Sequence, residues 1–198
     1  VTILSYDTFT GTDGTFLDGA HTSDSGATWS LSPASSGTSG DLQLNSGTAT
    51  KGSGRSYNGG YLYSYVPTGD YYIEVVVNIA NASGEFQLIS STGSTIVVVN
   101  SFYTALVGAG SGWGAATVGV TYTLRLEVVS GVYTYKRDGV TINTWTYSDP
   151  PYYDPPYGIL LGGTINQTLL YNFEIGTAGP PPPPPVFWTS FVGSYEVP

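Results

Sequence analysis

The sequence predicts an all-β protein, an antiparallel β-sandwich followed by a proline arm. Three observations carry that prediction. Short runs rich in Val, Ile, Thr and Tyr recur along the chain, separated by Gly, Ser, Asn, Asp or Pro. No stretch sustains a helical period. Only 10% of the 198 residues are charged while 14% are aromatic. Disordered chains lack aromatics, so this composition describes strands whose polar faces are built from hydroxyls and amides.

Val1–Tyr6 opens the fold as a strand, and a long polar connection runs from Asp7 to Ala27. Trp29–Leu31 and Asp41–Leu44 are short strands. Gly60–Val66 alternates, which places Tyr61, Tyr63 and Tyr65 on one face. Tyr71–Ala80 is almost continuously apolar, the pattern of a central strand covered on both faces. Glu85–Ser90 and Thr95–Asn100 flank a hairpin loop, Ser91-Thr92-Gly93-Ser94, and Tyr103–Val107 follows. Ser130-Gly131 joins Thr121–Val129 to Val132–Arg137, and Asp138-Gly139 turns into Val140–Tyr147. Gly158–Leu161 leads to the last strand, Thr168–Ile175. So many short strands with tight turns imply two packed antiparallel sheets.

Composition changes abruptly after Gly179. Residues 1–178 form the sandwich domain, 179–185 a polyproline linker and 186–198 an apolar docking peptide. Pro180 to Pro185 favour polyproline II at about 3.1 Å per residue, a spacer of roughly 19 Å. The peptide beyond carries Val186, Phe187, Trp188, Phe191 and Tyr195, which are expected to anchor a partner by strand addition or aromatic insertion.

Charge and composition exclude several classes. A net charge of −9 with five Lys and Arg is wrong for a nucleic-acid partner. No apolar run approaches the roughly 18 residues of a membrane span. Without cysteine there is no disulfide framework and no thiol chemistry. The chain begins Val1-Thr2-Ile3 with no basic, apolar leader ahead of it. Either the protein stays where it is made or a leader has been removed, and the first is the expectation.

Three segments together resemble the concanavalin A-like (laminin-G-like) jelly-roll superfamily. Tyr6 to Leu17, continuing through His21-Thr22-Ser23-Asp24-Ser25-Gly26 to Trp29, resembles the opening "D-x-F-T-x-x-D-G-T-x-L … H-T-P-D-x-G-x-x-W" of jelly rolls common in phage virion and bacterial surface proteins. Ser23 stands where that pattern prefers proline. Val120 to Val128, with Tyr133 to Arg137 and Asp138-Gly139-Val140, is similar to the family's "Y-x-L-x-x … D-G-x" hairpin. Tyr157-Gly158-Ile159 to Asn172-Phe173-Glu174-Ile175 resembles the closing strand that pairs beside the first. The resemblance covers about residues 1–177 and implies the fold; lectins, glycosidases, lyases and structural modules share it.

Glycoside hydrolysis needs two carboxyl groups about 5–5.5 or 6.5–9.5 Å apart. Hydrolases of the superfamily carry E-x-D-x-x-E along one strand. That spacing is absent: Glu74 stands alone on its strand and Val128-Val129 follow Glu127. A lyase would need cations that are scarce here, and the expectation is a protein that is not an enzyme. Asp7, Asp13, Asp18 and Asp24 could offer oxygen ligands to calcium, but turn chemistry explains them better. No other cofactor is expected. His21 is expected to make a structural hydrogen bond.

Tyr57, Tyr61, Tyr63 and Tyr65 form one aromatic group; Tyr147, Tyr152, Tyr153 and Tyr157 form another beside Asp149 and Asp154. Packing, a protein interface and a glycan-stacking face all remain open for them. Tyr61, Tyr63, Tyr65, Tyr152, Tyr153 and Trp113 are the glycan candidates. Asn81-Ala82-Ser83 and Asn166-Gln167-Thr168 read as chance matches to the glycosylation sequon.

These features lead to an expected structural protein of a phage virion surface, a capsid decoration or a head or tail fibre component assembled in the host cytoplasm. Its tail would join other virion proteins or identical subunits in a homo-oligomer. The alternatives are a lectin-like adhesin that binds cell-surface glycan, and a subunit of an extracellular filament joined by tail strand addition.

Overall fold

The computed structural model describes residues 1–31, 42–52, 60–106, 110–146, 155–163 and 166–179. The expected arm, its anchors Val186, Phe187, Trp188, Phe191 and Tyr195, and the glycan candidates Tyr152 and Tyr153 lie outside the described residues. Fifteen strands and no helix are found among those described.

In chain order they are β1 (Ile3–Asp7), β2 (Trp29–Leu31), β3 (Leu42–Leu44), β4 (Ala49–Lys51), β5 (Gly60–Tyr63), β6 (Tyr71–Ile79), β7 (Glu85–Ile89), β8 (Thr95–Asn100), β9 (Thr104–Leu106), β10 (Gly110–Ser111), β11 (Thr121–Val129), β12 (Val132–Arg137), β13 (Val140–Thr146), β14 (Gly158–Gly162) and β15 (Thr168–Thr177). They form two antiparallel sheets. The eight-stranded sheet runs β13-β12-β11-β6-β15-β4-β3, with β1 also paired to β15. The seven-stranded sheet runs β10-β9-β8-β7-β14-β5-β2. First and last strands pair as the resemblance implies, Tyr6 opposite Glu174 and Asp7 opposite Phe173.

Local chemistry explains the connections. Ser130 and Gly131 take φ of 49° and 77°, and Asp138 and Gly139 take 50° and 79°. Both pairs therefore have the positive φ that two-residue hairpins of right-handed twist demand. Inward residues of alternating parity fill the space between the sheets, among them Ile73, Val75, Val77, Phe86, Leu88, Leu124, Leu126, Ile159 and Phe173, all in one buried cluster.

β6 is central, between β11 and β15. Its outer face is covered only in part, against the full cover that its apolar run predicts: Tyr72 and Asn78 are buried while Glu74 and Val76 are half-buried.

One end of the sandwich is closed by a buried carboxylate. Asp7, fully buried, accepts the Phe9 amide at 2.8 Å on Oδ1 and the Trp29 indole N–H at 2.7 Å on Oδ2. His21 Nε2 lies 3.0 and 2.9 Å from the two oxygens, the structural role expected of it. Around this point Trp29 packs on Tyr63 at 4.7 Å and on Phe173 at 5.1 Å between ring centroids. The long connection after β1 is thus fastened to both sheets.

Replacing Asp7 by Ala strands three buried donors at once. The expected loss is about 3–5 kcal/mol, read as a lower urea midpoint with an unchanged slope. A loss below about 1 kcal/mol would contradict this role.

Candidate functional site

The predicted site residues separate by burial. Tyr61 and Tyr63 are fully buried, so a glycan-stacking role for them is corrected to packing. All four residues of β5 are buried, on both sides of the strand. The Tyr63 hydroxyl sits among three serines, 2.8 Å from Ser5 Oγ, 2.8 Å from Ser23 Oγ and 2.9 Å from Ser25 Oγ. Tyr157 is also buried and its hydroxyl pairs with that of Tyr71. Tyr65 and Trp113 are partly buried against the core, and the Trp113 indole donates to the Gly110 carbonyl at 3.3 Å.

The four aspartates do not converge on an ion. Asp7 is occupied by the donors described above. Asp13 Oδ1 accepts the Ser46 amide at 2.7 Å, and Asp24 accepts the Thr8 amide at 2.8 Å and the Thr8 hydroxyl. Asp18 bridges to Trp29 through backbone. Among the described residues, no three His, Asp or Glu side chains come together to hold a metal. The hydrogen bonds from Thr8 hold Asp24 below the usual carboxylate range, against a smaller opposing effect of burial.

Two outer sheet faces carry polar groups that sequence patterning did not single out. On the eight-stranded sheet, register sets Glu174 opposite Glu74 and Glu74 opposite Arg125. Arg125 donates to Glu74 at 3.1 Å and to Glu127 at 2.8 Å, and Lys136 donates to Glu127 at 2.7 Å. Burial would raise the Glu127 carboxyl, but the Lys136 and Arg125 bonds outweigh it and hold the group below its ordinary value. Tyr72 donates its hydroxyl to Glu174. The Arg125 guanidinium lies 3.4 Å from the Tyr72 ring centroid. A Cβ at Gly176 would come within 2.4 Å of that ring, so glycine is what seats Tyr72 against the sheet.

On the seven-stranded sheet, Glu85 and Gln87 of β7 face away from the core, half-buried, beside Thr95 and the buried Asn100 of β8. Glu85 lies opposite Asn100 in register. Gln87 Nε2 donates to Glu85 Oε1 at 2.6 Å and Asn100 Nδ2 donates to Glu85 Oε2 at 3.0 Å. Thr95 Oγ1 donates to Gln87 Oε1 at 2.7 Å. Asn100 Oδ1 in turn accepts the Phe102 and Tyr103 amides, each at 2.9 Å. The result is a continuous polar strip that ends at a turn bearing Phe102, 76% exposed, and Tyr103, 41% exposed. On the flanking strand Gly162 lies opposite Glu85, so no side chain screens the carboxylate from that side.

No protein-family model and no curated protein matches the chain. Solved structures do. A β-1,3-glucanase from Mycobacterium marinum matches with a TM-score of 0.58 and 13% identity, over 89% of this chain and 99% of that one. A glycosyl hydrolase family 16 protein from Mycobacterium smegmatis matches with a TM-score of 0.60 and 9% identity, over 88% and 100%. The carbohydrate-binding module CBM66 from Bacillus subtilis matches with a TM-score of 0.51 and 12% identity, over 88% and 97%. At such identities the likeness is one of fold alone, a jelly-roll sandwich of two antiparallel sheets.

These likenesses correct the expectation that the chain is not an enzyme. That expectation rested on acids spaced along a single strand. Register across β15, β6 and β11 brings Glu174, Glu74 and Glu127 onto one face without any such spacing, so a missing linear motif does not set the chain apart from hydrolases.

Burial and the Glu174 bond push the Tyr72 phenol up to about 12, and burial pushes Tyr135 up to about 12. A raised phenol stabilises the folded state fully below its ordinary value of 10.0, and that contribution disappears as pH rises through the folded value. Urea midpoints should therefore fall between pH 10 and 12, and the Y72F/Y135F double variant should flatten the fall. An equally steep fall in the double variant would count against it.

Proposed function

We propose that this chain recognises carbohydrate on the outer face of its seven-stranded sheet. The observation that carries the reading is the strip Thr95–Gln87–Glu85–Asn100, hydrogen-bonded in series and ending at exposed Phe102 and Tyr103. A sugar presents a ring of C–H groups for an aromatic face and a fringe of hydroxyls for carboxylate and amide. Both Glu85 oxygens and Gln87 Oε1 accept one internal bond each and keep acceptor capacity, whereas Asn100 Oδ1 is filled by the Phe102 and Tyr103 amides. The internal bonds also fix the side-chain rotamers in advance, which lowers the entropic cost of binding. The likeness in fold to a carbohydrate-binding module and to glycan hydrolases supports the same ligand class.

Calorimetric titration with β-1,3-glucan and agarose oligosaccharides tests this. Glu85→Gln and Phe102→Ala should each weaken binding about tenfold, the equivalent of one lost hydrogen bond or ring contact, while the folded spectrum stays unchanged. Wild-type affinity in both variants sinks the reading. The same mixtures followed over time for shortened oligosaccharides report turnover, for which Glu74 and Glu174 are the first carboxylates to replace.

The proline run and its aromatic peptide favour a second, compatible reading. The arm attaches the sandwich to a larger assembly, at a virion surface or in an extracellular filament, so that many weak glycan contacts act together. Deleting residues 180–198 should leave a folded monomer that no longer assembles, measured by light scattering. Unchanged assembly of the truncated chain would remove this reading and leave the glycan face untouched.

A further inference from the structure

A separate groove of about 340 Å³ opens at the edge of the eight-stranded sheet, lined by Asn45, Ser46, Thr48, Asn166, Leu169 and Tyr171. Local backbone chemistry builds it. Ser46 and Gly47 form the two-residue turn between β3 and β4, with φ of 50° and 72°. Asn45 and Thr48 close that turn by exchanging backbone hydrogen bonds of 2.8 and 3.1 Å. On β15 the register slips between Leu170 and Asn172. The bulge leaves Tyr171 unpaired with β6 and turned outward, 37% exposed. Asn166 takes a φ of 56° without being part of a two-residue hairpin turn between adjacent strands. Asparagine takes this left-handed conformation readily, and it sets the Asn166 side chain on the groove.

The lining is uncharged. Asn45 Nδ2 donates to Asn166 Oδ1 at 3.1 Å across the groove, and Asn45 Oδ1 receives only a long 3.4 Å contact from Ser46 Oγ. The pair thus consumes one donor hydrogen and one carbonyl, and the Asn166 NH2 group keeps both its donors. Amide donors and acceptors stand beside one exposed phenol ring and one leucine side chain. The volume falls at the lower end of the range of about 300–1,000 Å³ for small-molecule sites. A chain of net charge −9 with no cation in this groove disfavours an anionic ligand.

We infer that the groove is a second carbohydrate site, which takes a neutral terminal sugar residue. The ring of Tyr171 and the side chain of Leu169 meet the C–H face, and the Asn45–Asn166 pair meets the hydroxyls. The inference rests on the glycan reading only for its ligand class. The groove and the strip belong to different sheets, so each can fail without the other.

The test is a nitrogen-15 NMR titration of the full chain with the methyl glycosides of glucose, galactose and mannose. Saturable shifts at Asn45, Asn166 and Tyr171 are expected with at least one glycoside. Tyr171→Ala, an exposed position with little cost to folding, should weaken them at least tenfold. Asn166→Asp, which tolerates the left-handed backbone and keeps the acceptor for Asn45, should weaken them too, and Glu85→Gln should not. Shifts confined to Gln87 and Asn100 overturn the groove and leave the strip. Shifts confined to the groove uphold it and overturn the strip. An unchanged affinity in Tyr171→Ala, or no saturable shift at either place, overturns the groove site.

Discussion

The sandwich depends on a carboxylate with no access to water. Asp7 sits at the end of β1 and holds the amide of Phe9, the indole of Trp29 and the ring of His21. An unpaired buried carboxylate would cost far more than a domain of this size can spare. Here every donor comes from a different part of the chain, so satisfying the charge fixes the path of the whole connection from β1 to β2. That connection forms only isolated bridges, and the carboxylate works with the Tyr63 hydroxyl, which meets Ser23 and Ser25, to hold it over the Trp29–Tyr63–Phe173 cluster. The same bonds exhaust Asp7 as a ligand for any ion.

With one end locked, the outer faces are free to differ. The eight-stranded face gathers Arg125 and Lys136 into a network with Glu74 and Glu127, beside Tyr72 and Glu174. The seven-stranded face has a carboxylate but no cation in its strip, and amides neutralise it by donation alone. Low overall charge is what permits the second arrangement. A lysine or arginine beside Glu85 would occupy the acceptor sites that the strip leaves open.

Much of the fold was legible because its cues are local. Ser130-Gly131 and Asp138-Gly139 demand positive φ and announce their hairpins; for His21 the sequence indicates a structural hydrogen bond, but that its partner is the buried Asp7, shared with Trp29, emerges only from the fold. β4 was missed because it is three residues long and ends in Lys51, which reads as surface; in the fold Lys51 is buried and its ammonium meets the Gly163 carbonyl at 2.7 Å. Tyr61 and Tyr63 were misplaced because a period of two cannot reveal that a strand is covered on both sides. The polar strip and the glutamate row were invisible for a different reason. Glu85 and Asn100 lie fifteen positions apart and meet only through the β7–β8 register, which alternation along a single strand does not specify.

The proposed sugar site lies on the outer face of the seven-stranded sheet. A crystal structure of the full chain soaked with a β-1,3-glucan oligosaccharide tests it most directly. The expected result is a sugar ring against Phe102 or Tyr103 with its hydroxyls on Glu85 and Gln87. An oligosaccharide seated elsewhere, with the Glu85 strip left bare, would contradict it.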